Sequence, residues 1–141
     1  MDAFQHREIS EAIDAADQAL MYLNQARHSL NKAGNWGLVD LFGGGFLSTL
    51  LKHSHMDTAQ RELEQARQAV RRFSRELQDV HAAMDVNLDT GDFLSFADYF
   101  FDGLIADWMV QSRISTAKRQ VDDAIRQVER IRSQLHGMLN Q

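Results

Sequence analysis

Six histidines, His6, His28, His53, His55, His81 and His136, are the side chains of this chain that could ligate a metal or move a proton near neutral pH. A di-iron site in a helical bundle would need two Glu-x-x-His motifs on facing helices, and no glutamate here has a histidine three residues later. His53 and His55 are two residues apart, which on a helix turns them about 200° from each other. His81 and Asp85 have the i,i+4 spacing of a shared helix face, but as a single pair they read as a solvated contact. Asp98 and Asp102 form an i,i+4 carboxylate pair in an aromatic stretch, where repulsion could raise one pKa and make a general acid. No Lys, Arg or His lies between residues 90 and 112 to complete such a site, so solvent-facing or ion-paired carboxylates are the expectation. The chain has no cysteine, no nucleophile elbow, no HExxH and no GxGxxG. Neither a metal, a cofactor nor an enzymatic activity is expected.

The glycine run in "GLVDLFGGGFLSTLLKHSH" (37–55) raises the question of a phosphate loop. Such a loop needs a strand before it and, in the P-loop case, a lysine directly after, and both are missing. A membrane-surface segment is the second possibility, since an interfacial helix gains from buried apolar area and basic edges. Only Lys52 supplies such a charge here. The longest apolar run, Leu41 to Leu51, is too short to span a bilayer, which takes roughly 20 residues. "RQAVRRFSREL" (68–78) gathers Arg71, Arg72 and Arg75, but Glu62, Glu64, Glu76 and Asp79 dilute it into a charged helix face. With a formal net charge of −5, a nucleic-acid partner is not expected.

The elements that carry these residues follow from composition and spacing. The 141 residues fit one domain, 44% of them are hydrophobic, and proline is absent, all of which favours long uninterrupted helices. Apolar residues alternate three and four apart in three segments. The first is Ile9, Ala12, Ala16, Ala19, Leu23, Ala26, Leu30 and Ala33. The second runs Met56, Ala59, Leu63, Ala66, Val70, Phe73, Leu77, Val80 and Met84. The third is Ile114, Ala117, Val121, Ala124, Val128, Ile131, Leu135 and Met138. Flanking apolar residues (Ile13, Leu20, Leu88, Ile125, Leu139) widen each stripe beyond a two-stranded seam, as a bundle requires. The seam alanines of the first helix should let helix axes approach closely. Gly34 and Asn35 are expected to end the first helix, and Ser54 and Ser112 to cap the second and third.

An internal repeat organises the rest. Shifted by 58 residues, 37–71 lies on 95–129 without a gap, with identities at Asp40/Asp98, Phe42/Phe100, Gly45/Gly103, Ser54/Ser112, Thr58/Thr116, Ala59/Ala117, Arg61/Arg119, Ala66/Ala124 and Val70/Val128. The expected fold is all-α: an antiparallel bundle of three long heptad-patterned helices joined by two shorter apolar connector helices related by duplication. Gly45 and Gly103, shared by both copies among large apolar neighbours, are read as close helix-packing positions, where a Cβ would hold the partner backbone away. Gly43 and Gly44 are not shared and should make the first connector the less rigid one.

Aromatic residues crowd the connectors: Trp36, Phe42 and Phe46 in the first, and Phe93, Phe96, Tyr99, Phe100, Phe101 and Trp108 in the second. They can plug the bundle or meet a second subunit or partner protein, where Trp, Tyr and Phe anchor interfaces. The candidate interaction surface is Trp36, Phe42, Phe46, Leu50, Tyr99, Phe100, Phe101 and Trp108. The expected role is a non-enzymatic interaction or scaffold module that self-associates, with a dimer favoured, or binds a protein partner. A peripheral membrane protein using the first connector is the alternative. A metal- or carboxylate-dependent enzyme in the bundle is a third. The N-terminal "MDAFQHREIS" has neither basic n-region nor apolar h-region, so a cytoplasmic location is expected.

Overall fold

The computed structural model describes residues 1–43, 46–84, 93–97 and 114–140, with side chains placed over 1–32, 58–84, 93–97 and 117–140. Every stretch of regular secondary structure among the described residues is α-helix. The long elements are α1 (Ala3–Gly43), α2 (Phe46–Ala83) and α3 (Ile114–Leu139), with a further helical stretch over 93–97. At 1.5 Å per residue, the 41 residues of α1 run about 60 Å.

The 3,4 spacing of apolar residues is what makes these helices pack. On α1, Ile9, Ala12, Ala16, Ala19, Leu23, Ala26 and Leu30 are all completely buried, as are Ala59, Leu63, Ala66, Val70, Phe73, Leu77 and Val80 on α2. On α3, Val121, Ala124, Val128, Ile131 and Leu135 are fully buried and Ala117 nearly so. All of them belong to one core. Met84 and Met138, which end two of the seams, are partly buried against it. The flanking Ile13 and Ile125 are also buried, and Leu20 and Leu139 pack at its edge. Removing each large aliphatic or aromatic side chain from water contributes roughly 1.5–3 kcal/mol, which is why the seams dominate the packing.

Polar contacts fix the direction of the helices. Gln5 reaches Ala83, Gln18 accepts from Arg72, and Ser29 donates to Glu62, so α2 numbers fall as α1 numbers rise. Asp17 pairs with Arg132 and Arg27 with Asp122, which gives the same antiparallel sense for α1 and α3. It follows that α2 and α3 run parallel to each other. The backbone of α1 comes within 8 Å, Cα to Cα, of both neighbours, whereas among the described residues α2 and α3 do not approach each other that closely. The cause is side-chain size. Buried alanines at 12, 15, 16, 19 and 26 leave α1 thin on two faces, while α2 and α3, with fewer buried alanines (59, 66 and 69; 117 and 124), also present Phe73, Leu77, Ile131 and Leu135.

The ends of the helices differ from the expectation. Helix α1 continues through Gly34, Asn35 and Gly37 to Gly43, and α2 begins at Phe46, so that Ser54 is interior and not a cap. Residues 37–43 therefore belong to the end of α1 and residues 46–55 to the start of α2, in place of the separate connector helix expected there. Glycine and asparagine are poor helix formers, with glycine about 1 kcal/mol worse than alanine, but neither breaks a helix as proline does. Once a helix is nucleated, extension fixes only one residue per added hydrogen bond. Gly45 and Ser112 lie outside the described residues.

The start of α1 carries a cap that periodicity does not reveal. The backbone N–H of Gln5 donates to Asp2 Oδ1 at 2.8 Å, and that of Asp2 donates to Gln5 Oε1 at 3.1 Å. This reciprocal pair is a capping box, with Asp and Gln in the positions usually held by Ser/Thr and Glu.

Candidate functional site

The chemistry-bearing residues that the fold brings together lie where α1 begins and α2 ends. Antiparallel packing puts the first turns of α1 beside the last turns of α2, and Gln5 Nε2 donates to the Ala83 carbonyl at 3.3 Å, satisfying one of the carbonyls that a helix C-terminus leaves open. Glu8 precedes the buried Ile9 on α1, and Glu76 and Asp79 flank the buried Leu77 and Val80 on α2. One carboxylate oxygen from each of Glu8, Glu76 and Asp79 lies within 4.8 Å of the other two. Beside them is a groove of about 290 Å³ lined by Phe4, Glu8, Asp79, Ala82 and Ala83.

Glu76 is the electrostatically perturbed member. Its carboxyl is held above its ordinary value, first by burial and then by the negative charges of Asp79, Glu11 and Glu8, with Arg72 working in the opposite direction. Its Oε2 is buried and has no hydrogen-bond partner. The arrangement makes Glu76 an easier group to protonate than a free glutamate. The donor set is all oxygen, the type that suits a hard divalent cation. For acid catalysis it lacks company: the charged groups acting on Glu76 are three further carboxylates and one guanidinium, with no nucleophile among them.

A second hollow, about 410 Å³, lies midway along the α1–α2 face between Tyr22, Gln65, Gln68 and Arg75. Its wall is mostly amide and guanidinium, with Arg72 tied to Gln18 across the helices, and beyond the Tyr22 phenol it gathers no acid, base or nucleophile.

The residues expected from sequence to form an interaction surface fall largely elsewhere. Trp36 and Phe42 lie on the C-terminal part of α1, and Phe46 and Leu50 on the first turns of α2, with their side chains outside the described residues. Tyr99, Phe100, Phe101, Gly103 and Trp108 lie outside the described residues, as do Asp98 and Asp102. Two other members of the aromatic cluster are placed. Phe93 is fully buried with its ring centroid 5.5 Å from that of Phe73, and Phe96 stacks on Phe93 at 6.5 Å while packing at the edge of the core. These two side chains act as core and not as surface.

Among the histidines, His6 and His28 are exposed on α1, and His81 and His136 are half-buried on different helices. The grouping of Glu8, Glu76 and Asp79, the one set of potential ligands close enough to share an ion among the described residues, contains no histidine. Reading each helix by itself could not have found this cluster. The signal was the acidic i,i+3 pair at 76 and 79, which acquires its partner only when the antiparallel register sets Glu8 opposite.

No protein-family model matches the chain, no curated protein does, and no solved structure does.

Proposed function

We propose that this chain is a non-enzymatic helical interaction module that self-associates, as a dimer, or holds a protein partner through its glycine- and aromatic-rich stretches. In this reading the whole chain is an antiparallel bundle of three long helices, with 37–71 and 95–129 as copies of one ancestral unit. Trp36, Phe42, Phe46, Leu50, Tyr99, Phe100, Phe101 and Trp108 supply the association surface, and Gly45 and Gly103 allow close helix approach.

The observation that carries the reading is the complete use of the heptad seams inside one chain. Every described seam residue from Ile9 to Leu30, from Ala59 to Val80 and from Ala117 to Leu135 is buried in the shared core. A coiled-coil partner would need one of these stripes and finds none open among the described residues. Large apolar residues exposed among the described positions are only Met1, Phe4 and Met21, too scattered to bury the roughly 800 Å² per partner of a standard interface. The apolar content left to explain association therefore sits in the aromatic stretches. Arg27 with Asp122 and Arg132 with Asp17 form ion pairs between helices, and Arg67 with Glu64 and Arg126 with Asp123 form them along helices, as structural charges do.

The test is the mass of the purified protein by light scattering over a dilution series, with Phe42→Glu and Trp108→Glu beside the parent. A dimer that one of these changes converts to a folded monomer supports the reading. A dimer indifferent to both, with helicity preserved, removes it. A monomer that co-sediments with anionic vesicles and loses that when Phe46 and Leu50 become polar would transfer the role to a membrane surface.

A further inference from the structure

The groove between the first turns of α1 and the last turn of α2 has two kinds of lining. Phe4, 51% exposed, and the methyl groups of Ala82 and Ala83 provide apolar surface, and the carboxylates of Glu8 and Asp79 edge it. At about 290 Å³ it is the size of one long side chain and not of a folded element. The Phe4 ring takes a guanidinium: Arg7 Cζ lies 5.5 Å from its centroid. An aromatic face, an apolar channel and anionic edges together are the complement of an arginine, whose methylene stem seeks apolar contact while its planar cation stacks on rings and bonds carboxylates.

We propose that this groove docks an arginine side chain presented by a basic segment of a partner protein. Charge argues for that occupant. Glu8 from α1 and Asp79 from α2 line the groove and the Glu76 carboxylate lies beside them, against Arg7 over the Phe4 ring, so these groups sum to a negative charge in a chain that is itself acidic. An apolar or acidic segment would leave these carboxylates desolvated without a counter-charge. Arginine is favoured over lysine because the ring wall stacks a planar guanidinium, which a compact ammonium uses less well. The groove lies at the opposite end of α1 from Phe42, so it is separate from the association surface proposed above and does not depend on it.

Fluorescence anisotropy with labelled Gly-Arg and Gly-Lys octapeptides on the full chain tests the proposal. The arginine peptide should bind about threefold more tightly than the lysine peptide, and Phe4→Ala, at an exposed position, should erase that preference. The pair Glu8→Lys and Asp79→Lys should weaken binding roughly tenfold, and salt should weaken it further. A matched pair, Asp14→Lys and Glu129→Lys, changes net charge equally at exposed positions away from the groove and should leave most of the binding in place. Circular dichroism confirms folding, and Glu8→Gln with Asp79→Asn gives the milder variant if reversal unfolds the helix ends. Equal loss in the matched pair, a lysine peptide that binds as well as arginine, or no binding at low salt would each overturn the proposal.

Discussion

The ring of Phe93 meets the ring of Phe73 at a centroid distance of 5.5 Å and an interplanar angle of 55°, and both side chains are completely buried. Phe73 is a seam residue of α2, whereas Phe93 lies beyond the end of that helix, so the pair ties the chain after α2 back onto the bundle. The tilted geometry lets the edge of one ring meet the face of the other, which adds about 0.5–1.5 kcal/mol beyond area burial. Phe93→Ala should therefore cost about 3–5 kcal/mol, and a double-mutant cycle with Phe73→Leu should return a coupling of about 1 kcal/mol. Urea unfolding of the four proteins measures both. A loss below 1 kcal/mol would mean the 93–97 stretch packs on the core without contributing to it.

Ala19 makes the opposite demand. The two residues just before it are held from two directions, Asp17 by Arg132 of α3 and Gln18 by Arg72 of α2, and Ala19 itself has no exposed surface. Both neighbouring backbones lie close to α1 because the alanine is small. Ala19→Leu adds three carbons where neither helix can withdraw without breaking its contacts, and should destabilise by about 1–3 kcal/mol although leucine is an excellent helix former. Ala3→Leu, exposed at the helix start, serves as the control and should change stability by less than about 0.5 kcal/mol. Thermal unfolding of both variants decides whether close approach or propensity governs this helix.

Why the seams were legible while the helix ends were not follows from the physics of each. A 3,4 alternation sustained over many turns can be buried in only one way by a helix, so Ile9 through Leu30 and Val121 through Leu135 could be read directly as core. Gly34, Asn35 and Ser54 are different, because each is compatible with a helix end and with a helix interior, and the choice depends on what the neighbouring turns already do. The absence of proline, noted first as favouring long helices, was the stronger cue. Phe93 was visible as part of an aromatic cluster, but burial against Phe73 is a contact across 20 residues that no local pattern specifies. The carboxylate cluster had the same obstacle, since Glu8 and Glu76 become neighbours only through the antiparallel register.

Two buried serines test how much a hydroxyl is worth in this core. Ser29 donates to Glu62 across the α1–α2 interface, while the Ser74 hydroxyl is buried without a partner. Ser29→Ala leaves a half-buried carboxylate short of a donor and should destabilise by about 1–2 kcal/mol. Ser74→Ala removes an unsatisfied group and improves helix propensity, so it should stabilise by about 0.5–1 kcal/mol. The same chemical change is expected to act with opposite sign at the two sites, and chemical denaturation of the two variants in parallel shows it. Equal effects would mean that helix propensity alone is being measured.

Glu76 sets the pH response of the α1–α2 end. Because burial and the charges of Asp79, Glu11 and Glu8 hold its carboxyl above the ordinary value, the folded chain binds a proton there more tightly than the unfolded chain does. Between the unfolded and folded pKa the native state carries more proton, so stability falls as pH rises through that window, and the penalty is fully present above the folded pKa. Glu76→Gln keeps the shape and removes the charge. It should raise the melting temperature at pH 7.5 by about 1–3 °C, with the advantage shrinking as pH falls toward the ordinary carboxylate range, where the parent's own Glu76 becomes neutral. Melting curves of parent and variant across this range isolate the Glu76 contribution from everything the two proteins share. A difference between them that stays constant with pH would show that the gain came from packing and that Glu76 is ionised in both states.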